Sequence, residues 1–568
     1  MTVKSESKEK STTWDIEKIY ATPEIWEKAY QEMVKKPVPT GIKNGDLEKT
    51  LDDYFALSRE LEKLYTYAYL KRDEDLTNHF FKELYEKINT YYHDFSHKTA
   101  WIEPAILEGG GESKKYAFYL KKVRDQKEHI LSVDKEEILA LAGHVQSVPQ
   151  KTFSLFNNAD LKFPKILNGE GNEEDLTHAL YLKHMKSTDR TLRENAFKTV
   201  HNSFHRFENM VTELINGQVQ SHIFTQKVRG YKDCLTAALK PHNIPTDVYH
   251  ALIGAAREGL PVLHEYVKKR KEILGLKELH YWDLMVPLVQ DCDRAFSYEE
   301  AVDIVVDSVA LLGEEYQEIL RKGLKEDRWV DVYESAGKRS GAYSGGSFDT
   351  MPYILLNYQG TITDVLTLSH EAGHSMHSYL SRKHQPYHYA HYPIFLAEIA
   401  STFHERLTYE YMGDSVYFAN QQIEGIRTTF FRQAMFAEFE LLIHELLEKG
   451  VALTPHRLKE EYRRLNVEYF GPDLIIDEEL SFEYMRIPHF YYNFYVYQYA
   501  TGIAAAYTFV DQVKKEGPKR YIEFLSSGGS DYPTEILKKA GLDICKKESL
   551  AGLIPVWKNL LAKNLSKS

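Results

Sequence analysis

The chain has 568 residues, 43% hydrophobic and 27% charged, with a formal net charge of −12. That length exceeds a single ordinary core and implies two or more lobes, and no stretch approaches the ~18 apolar residues of a membrane span. The acidic surplus argues against a nucleic-acid partner, and three widely separated cysteines (Cys234, Cys292 and Cys545) point to a reducing, cytoplasmic setting with neither disulfides nor a zinc knuckle.

Residues 1–12 are polar, lack the apolar core of a secretory signal, and read as a disordered tail. From Trp14 onward the dominant signal is helical, with apolar residues recurring at spacings of three and four. Residues 46–72 and 76–98 give two such stripes. Gly109–Gly111 interrupts the pattern and Ile138–Leu141 resumes it. Pro164–Glu174 reads as an exposed loop or small hairpin, and a long amphipathic run follows over about 189–228. The lobe boundary is placed at the start of that run: residues 13–188 are expected to form an N-terminal helical lobe, and 189–568 a catalytic helical region. Pro241–Pro245 is a turn, with helices expected at about 246–275 and 298–322.

The texture changes at Arg339–Gly346, a glycine-rich loop. The run Tyr353–Tyr358, β-branched and aromatic and bounded by breakers, is the best strand in the chain. A strand at that point could offer its edge to an extended peptide, with Tyr353 and Leu355 as contacts; the plainer reading is a strand in a small structural sheet.

Directly after it comes Leu368–His377, which contains His-Glu-x-x-His. On a helix, His370 and His374 lie one turn apart and can share one metal ion, while Glu371 projects beside them without ligating. A zinc ion held there would polarise an amide carbonyl and acidify a bound water, whose proton Glu371 would take. Chance occurrence is a real rival in a chain with 24 histidines. The apolar helical context of Val365, Leu366, Leu368, Met376 and Leu380 favours the metal reading. A catalytic zinc needs a third protein ligand. His377 and Leu380 stand where a metzincin has Gly and His, which excludes that class. Candidates are His384, His388, His391, Glu398, His404 and Glu405. Glu398 follows Ile394, Phe395 and Leu396, an apolar surface on which a carboxylate is costly unless paired or metal-bound. Ser401 and Glu405 share its helical face and could hydrogen-bond the ligands.

The combination of His-Glu-Ala-Gly-His-Ser-Met-His with Ala397-Glu-Ile-Ala-Ser-Thr402 resembles the thimet oligopeptidase superfamily of zinc peptidases, and within it the bacterial oligoendopeptidase F group. The likeness extends from Trp14-Asp15, through Gly341-Ala-Tyr-Ser344, to Tyr495-Val-Tyr-Gln-Tyr-Ala-Thr-Gly502. It implies one zinc ion on His370, His374 and Glu398, Glu371 as general base, and peptide contacts from Gly341, Tyr343 and Tyr497. It also implies a mainly α, two-lobed helical clamshell with a deep central channel and a small β-sheet beside the zinc helix.

Residues 484–499 hold six tyrosines. Packing is the plain explanation for any one of them. Amide hydrolysis offers another, because the oxyanion that develops needs a donor besides the metal. His489, Tyr492, Tyr495 and Tyr499 follow steps of three, three and four, and the resemblance assigns substrate-carbonyl contacts to this region, above all to His489 and Tyr499.

The resulting expectation is a cytoplasmic zinc metallo-endopeptidase acting on oligopeptides, a monomer or homodimer with no nucleic-acid or membrane partner. Two alternatives stand beside it. One is a zinc carboxypeptidase, in which Arg486 would hold the substrate's C-terminal carboxylate. The other is a helical peptide-binding scaffold with a closed structural metal site, completed by His377 or His404.

Overall fold

The computed structural model describes residues 12–42, 46–109, 111–289, 294–413 and 416–564. Helices dominate, with seven short strands among the described residues. The chain divides into two compact units, each assembled from three stretches: Met1–Ile130, Asp293–Gly413 and Phe509–Leu542 in the first; Leu131–Cys292, Asp414–Thr508 and Asp543–Ser568 in the second.

This division corrects the boundary expected at residue 188. That point falls inside the second unit, where Asp189 caps helix Arg190–His205 and also accepts from the Gly169 backbone N–H. Arg193 donates back to the carbonyls of Ser187 and Thr188 at 2.8 and 3.1 Å, stitching both sides of the presumed boundary together. The expected disordered tail, residues 1–12, lies outside the described residues except for Thr12.

In the first unit, helices Leu47–Glu74 and His79–Thr99 realise the first two stripes. Asp46 and Asn78 cap their N-termini by accepting backbone N–H groups. Leu57, Leu61, Leu64 and Ala68 face a core shared with Trp14, Trp26, Leu84 and Ile88. Tyr353 and Leu355 enter the same core from strand Tyr353–Tyr358.

That strand is the centre of a three-stranded sheet. Val330–Tyr333 pairs with it in parallel on one side, and Tyr343–Gly345 antiparallel on the other. Its backbone therefore has no free edge, which overturns the expectation that a peptide pairs with it. Tyr353 is 1% and Leu355 0% exposed, so both are core residues and not peptide contacts. The physical reason lies in the side chains: a strand this apolar on both faces belongs in the middle of a sheet.

In the second unit, the run expected over 189–228 is two helices, Arg190–His205 and Glu208–Val228, broken at Arg206–Phe207. Pro164–Glu174 contains a minimal hairpin, Ile166–Leu167 against Glu173–Glu174. Helix Val133–Gln146 forms where Ile138–Leu141 resumes the helical pattern, with Ile138 and Leu141 exposed on it. The segment leading to His489 is a 3-10 helix, Glu478–Arg486, anchored by the fully buried Glu483. Its carboxylate accepts from Arg432 at 2.7 Å and from the Tyr462 hydroxyl at 2.6 Å. Burial alone would raise its pKa, but the Arg432 and Arg486 charges win and hold it at about 2.

A second buried ion pair stiffens the sheet of the first unit. Lys338 Nζ donates to the Asp331 carboxylate at 2.5 Å and to the Tyr333 carbonyl at 2.7 Å, and the Lys338 and Asp331 side chains are almost fully buried. Lys338→Met is expected to strip the buried Asp331 carboxylate of its lysine partner, a loss of about 3–5 kcal/mol. A thermal melt of the variant, compared with wild type at neutral pH, checks this; an unchanged midpoint would contradict it.

Candidate active site

The motif sits on helix Ile362–His384. Thr361 and Asp364 form a reciprocal cap at its start, each side chain bonding the other's backbone N–H. The third candidate ligand comes from helix Ile394–Met412. The two helices pass very close to each other, and Gly373 is the point of closest approach. A Cβ built there would lie 2.5 Å from the Ala400 carbonyl oxygen and 2.7 Å from the Ser401 Cα. Ser369 Oγ, about one turn before Gly373, and Thr408 Oγ1, about two turns after Ser401, also join the helices, at 2.7 Å.

This packing brings three donors together. His370 Nε2 and His374 Nε2 are 3.2 Å apart, and Glu398 Oε2 lies 3.6 Å from the first and 3.8 Å from the second. A tetrahedral zinc with ligand bonds of ~2.1 Å needs donor separations of ~3.4 Å, so the set fits such an ion. No other trio of His, Cys, Asp or Glu among the described residues converges in this way. Of the six candidates for a third ligand, Glu398 is the one that converges with both imidazoles.

The donors are held from behind. Glu405 accepts from His370 Nδ1 at 2.5 Å, which leaves the Nε2 lone pair for the metal. Ser401 Oγ donates to Glu398 Oε2 at 3.1 Å. Burial alone would lower the His370 pKa, but the Glu405 carboxylate, aided by Glu371 and Glu398, raises it to about 9. The cluster thus attracts positive charge at Nε2, where a dication would compete with the proton. His374 moves the other way, held well below the ordinary imidazole range by burial and by His370.

Glu371 is 6% exposed and is not one of the converging donors. Burial pushes its pKa up to about 7 against the opposing pull of His370. A carboxyl poised there can both accept and return a proton near neutrality.

The other candidates go elsewhere. His377 is fully buried and stacks on Tyr392 with centroids 3.6 Å apart. His404 bonds the Tyr316 hydroxyl at 2.7 Å, His391 pairs with Glu62 at 3.3 Å, and His388 packs on Tyr116. His384 is exposed. Among the described residues no fourth protein ligand joins the trio, which weighs against the scaffold with a closed structural site. Arg486 lies over the Tyr181 ring and 3.8 Å from Glu483, an internal role rather than a free cation awaiting a carboxylate.

Tyr343 is on the edge strand and donates to Asp73 at 3.0 Å. Gly341, with φ of 84°, lines a cavity of about 260 Å³ together with Ala342, Leu356 and Asn357. Tyr497 is 3% exposed and packs on Tyr249, which corrects its assignment as a peptide contact. In the second unit, His489 is the hub of an aromatic group. Its ring lies 5.7 Å from both Tyr492 and Tyr499 and 6.4 Å from Tyr495.

Gly373 and the Ser369–Thr408 bond had escaped the sequence reading. The signal was present in the small residues at 369, 372 and 373, spaced to give one helix a face that another can approach.

The family model for peptidase family M3 matches residues 183–552, and the model described as Oligopeptidase F matches residues 106–163. The chain belongs to peptidase family M3. Membership makes it a metallopeptidase, in keeping with the converging donors. It is similar to oligopeptidase PepF of Bacillus subtilis, 41% identical over 97% of this chain and 86% of that protein. Among solved structures, it superposes on one from Chlamydophila abortus with a TM-score of 0.91 at 38% identity, covering 98% of both chains. Oligoendopeptidase-F from Enterococcus faecium follows at a TM-score of 0.72 and 31% identity, covering 96% of this chain and 98% of that one.

Two helices must stay together for the ligand set to survive. Glu398→Ala and Gly373→Ala are both expected to lose metal on dialysis, the second because the methyl group forces the helices apart. His377→Ala and His391→Ala should retain it. Elemental analysis of the dialysed variants decides this, and loss of metal from either histidine variant alone would reassign the ligands.

Proposed function

We propose that this chain is a zinc metallo-endopeptidase that hydrolyses internal bonds of oligopeptides. The observation that carries the reading is the convergence of His370, His374 and Glu398 with a buried, non-ligating Glu371 beside them. Zinc, when bound by that trio, supplies a Lewis acid for a carbonyl oxygen and lowers the pKa of a water. Glu371 takes the proton of the attacking water and delivers it to the departing amine, a task suited to a buried carboxyl beside the metal trio. Glu405 keeps His370 in the tautomer that offers Nε2, and Ser401 orients Glu398.

His489 and Tyr499 are the proposed donors to the oxyanion. Their support is the motif match and their grouping in one aromatic cluster. Burial keeps His489 below the ordinary imidazole pKa, so it would act as a neutral N–H donor. The oligopeptide preference is supported by the names of the relatives, which are oligopeptidases. We further propose a cytoplasmic monomer or homodimer without a nucleic-acid partner, on the strength of the acidic surplus and sparse cysteines. Among the described residues, no helix is long and apolar enough to cross a membrane.

The decisive experiment is mass spectrometry of the products from a defined peptide mixture, with and without a chelator. Internal cleavage that the chelator abolishes is expected; removal of single C-terminal residues would favour a carboxypeptidase. Glu371→Gln should keep its metal yet lose about 10²–10⁴-fold in kcat, because an amide cannot accept the proton. Near wild-type turnover would sink the mechanism. Tyr499→Phe should lower kcat by about tenfold or more with KM little changed, since a lost oxyanion donor acts on the transition state alone. Tyr484→Phe, a change within a fully buried packing site, should be silent.

A further inference from the structure

Between Tyr492 and Tyr495 the chain makes a turn that ordinary residues avoid. Asn493 and Phe494 have φ of 50° and 59°, the left-handed region that normally belongs to glycine. They are the only two consecutive non-glycine residues among those described that adopt it. Such a conformation persists only when the surroundings over-determine it.

Two contacts do so here. The Phe494 ring is 2% exposed, packed on His444 with centroids 4.4 Å apart and edge-on to Tyr249 at 5.6 Å. The Phe494 backbone N–H donates to Glu440 Oε1 at 2.6 Å. Glu440 belongs to helix Arg432–Glu448 and is 0% exposed. No cation offsets its burial, which pushes the carboxyl up to about 8 against the mild opposing effect of the Phe494 N–H. Its other oxygen, Oε2, has no hydrogen-bond partner. A leucine or methionine would fill this volume without that cost, so an acidic side chain here needs a purpose.

The support beneath Glu440 is polar and fully specified. His444 Nδ1–H donates to the Glu440 carbonyl oxygen at 2.7 Å, one helical turn back. His444 Nε2 accepts from His222 Nδ1–H at 2.9 Å, and His222 Nε2 accepts from the Gln218 amide at 2.9 Å. Burial keeps both rings neutral, lowering His444 to about 4 and His222, with help from His444, to about 3. One proton per ring then satisfies the whole relay, with each imidazole protonated at Nδ1.

What this scaffold carries is the aromatic cluster. His489 and Tyr492 precede the left-handed pair, whereas Tyr495 and Tyr499 follow it. Tyr495 and Tyr499 stack edge to face at 5.5 Å, and Tyr499 meets His489 at 5.7 Å. The reversal at Asn493–Phe494 is what folds the second pair back onto His489.

We propose that Glu440 is a positioning residue for the peptidase reaction: through the Phe494 N–H it locks the left-handed turn that holds Tyr495 and Tyr499 against His489. It touches no substrate. The proposal rests on the reading of His489 and Tyr499 as oxyanion donors.

Three substitutions test it in the metal-loaded full chain, with kcat and KM measured on a quenched fluorescent peptide. Glu440→Gln keeps an oxygen for the Phe494 N–H. Glu440→Ala removes it, and Glu440→Leu removes it while filling the volume, should the alanine variant fail to fold. Loss of the acceptor is expected to lower kcat about tenfold with KM within about twofold, and Glu440→Gln to recover most of that loss. In a His489→Ala background the further cost of Glu440→Leu should nearly vanish, because both changes disable one unit. Wild-type kcat in Glu440→Leu, whatever its melting temperature, would overturn the proposal. So would equal damage from Gln and Leu, or full additivity with His489→Ala. The two readings fail separately: a silent Glu440→Leu beside an impaired His489→Ala removes only the positioning role. Silent His489→Ala and Tyr499→Phe variants remove the oxyanion reading and this proposal with it.

Discussion

Two helices can share one metal ion only if their backbones come close enough for short side chains to meet, and here the missing side chain of Gly373 permits it. The motif supplies two donors from one helix, but the carboxylate must come from another, and the reach of a glutamate is short. With the Ala400 carbonyl pressed against Gly373, Glu398 arrives beside both imidazoles instead of one turn away. The hydroxyl pair Ser369–Thr408 and the Ser401–Glu398 bond depend on the same approach. Even the sheet serves it, since the central strand Tyr353–Tyr358 leads directly into the capped start of the motif helix.

Around this contact the chemistry is set by which carboxylates are buried with a partner and which without. Glu405 has His370 and keeps it basic; Glu483 has Arg432 and Tyr462 and stays ionised. Glu371 has only the partial opposition of His370 and Glu440 has no cation beside it, and burial pushes both towards neutral pH. The first pair does structural and orienting work. In the second, the cost of burial is retained at the proposed general base and at the residue proposed to hold the strained turn.

Most of the candidate metal site was legible in the sequence because it is local. His370, Glu371 and His374 occupy consecutive turns of one helix, and Glu398, Ser401 and Glu405 occupy another, so spacing alone puts them on common faces. Helix positions were legible for the same reason, as with Leu47–Glu74 and Thr246–Ile273. What could not be read depends on non-local pairing. A six-residue apolar strand looks the same at an edge and at the centre of a sheet, and only the pairing with Val330–Tyr333 and Tyr343–Gly345 distinguishes them. The compact units are likewise discontinuous, so no single composition shift marks them. Tyr497 belongs to the same tyrosine-rich run as Tyr499, and only its burial against Tyr249 shows that it packs. Asn493 and Phe494 carry no glycine to announce a left-handed turn; its cause, Glu440, lies more than fifty residues away.

The buried Glu440 carboxyl also ties the folded state to pH. An unfolded glutamate releases its proton near its ordinary value of 4.5, whereas the folded one holds it to about 8. Across that interval the native chain binds the additional proton, so this side chain makes folding progressively less favourable as pH rises, and the deficit is complete once both states are ionised. Its neighbours oppose the effect only in the lower part of the interval: His444 and His222 are neutral in the folded unit but bind protons when unfolded below about 6.5, so they favour folding as pH rises to that value, and above it Glu440 acts alone because the raised Tyr249 phenol has yet to ionise. A residue that orders one turn therefore acts as a standing alkaline liability for the unit that contains it, tolerable only because the remaining core is large enough to absorb it.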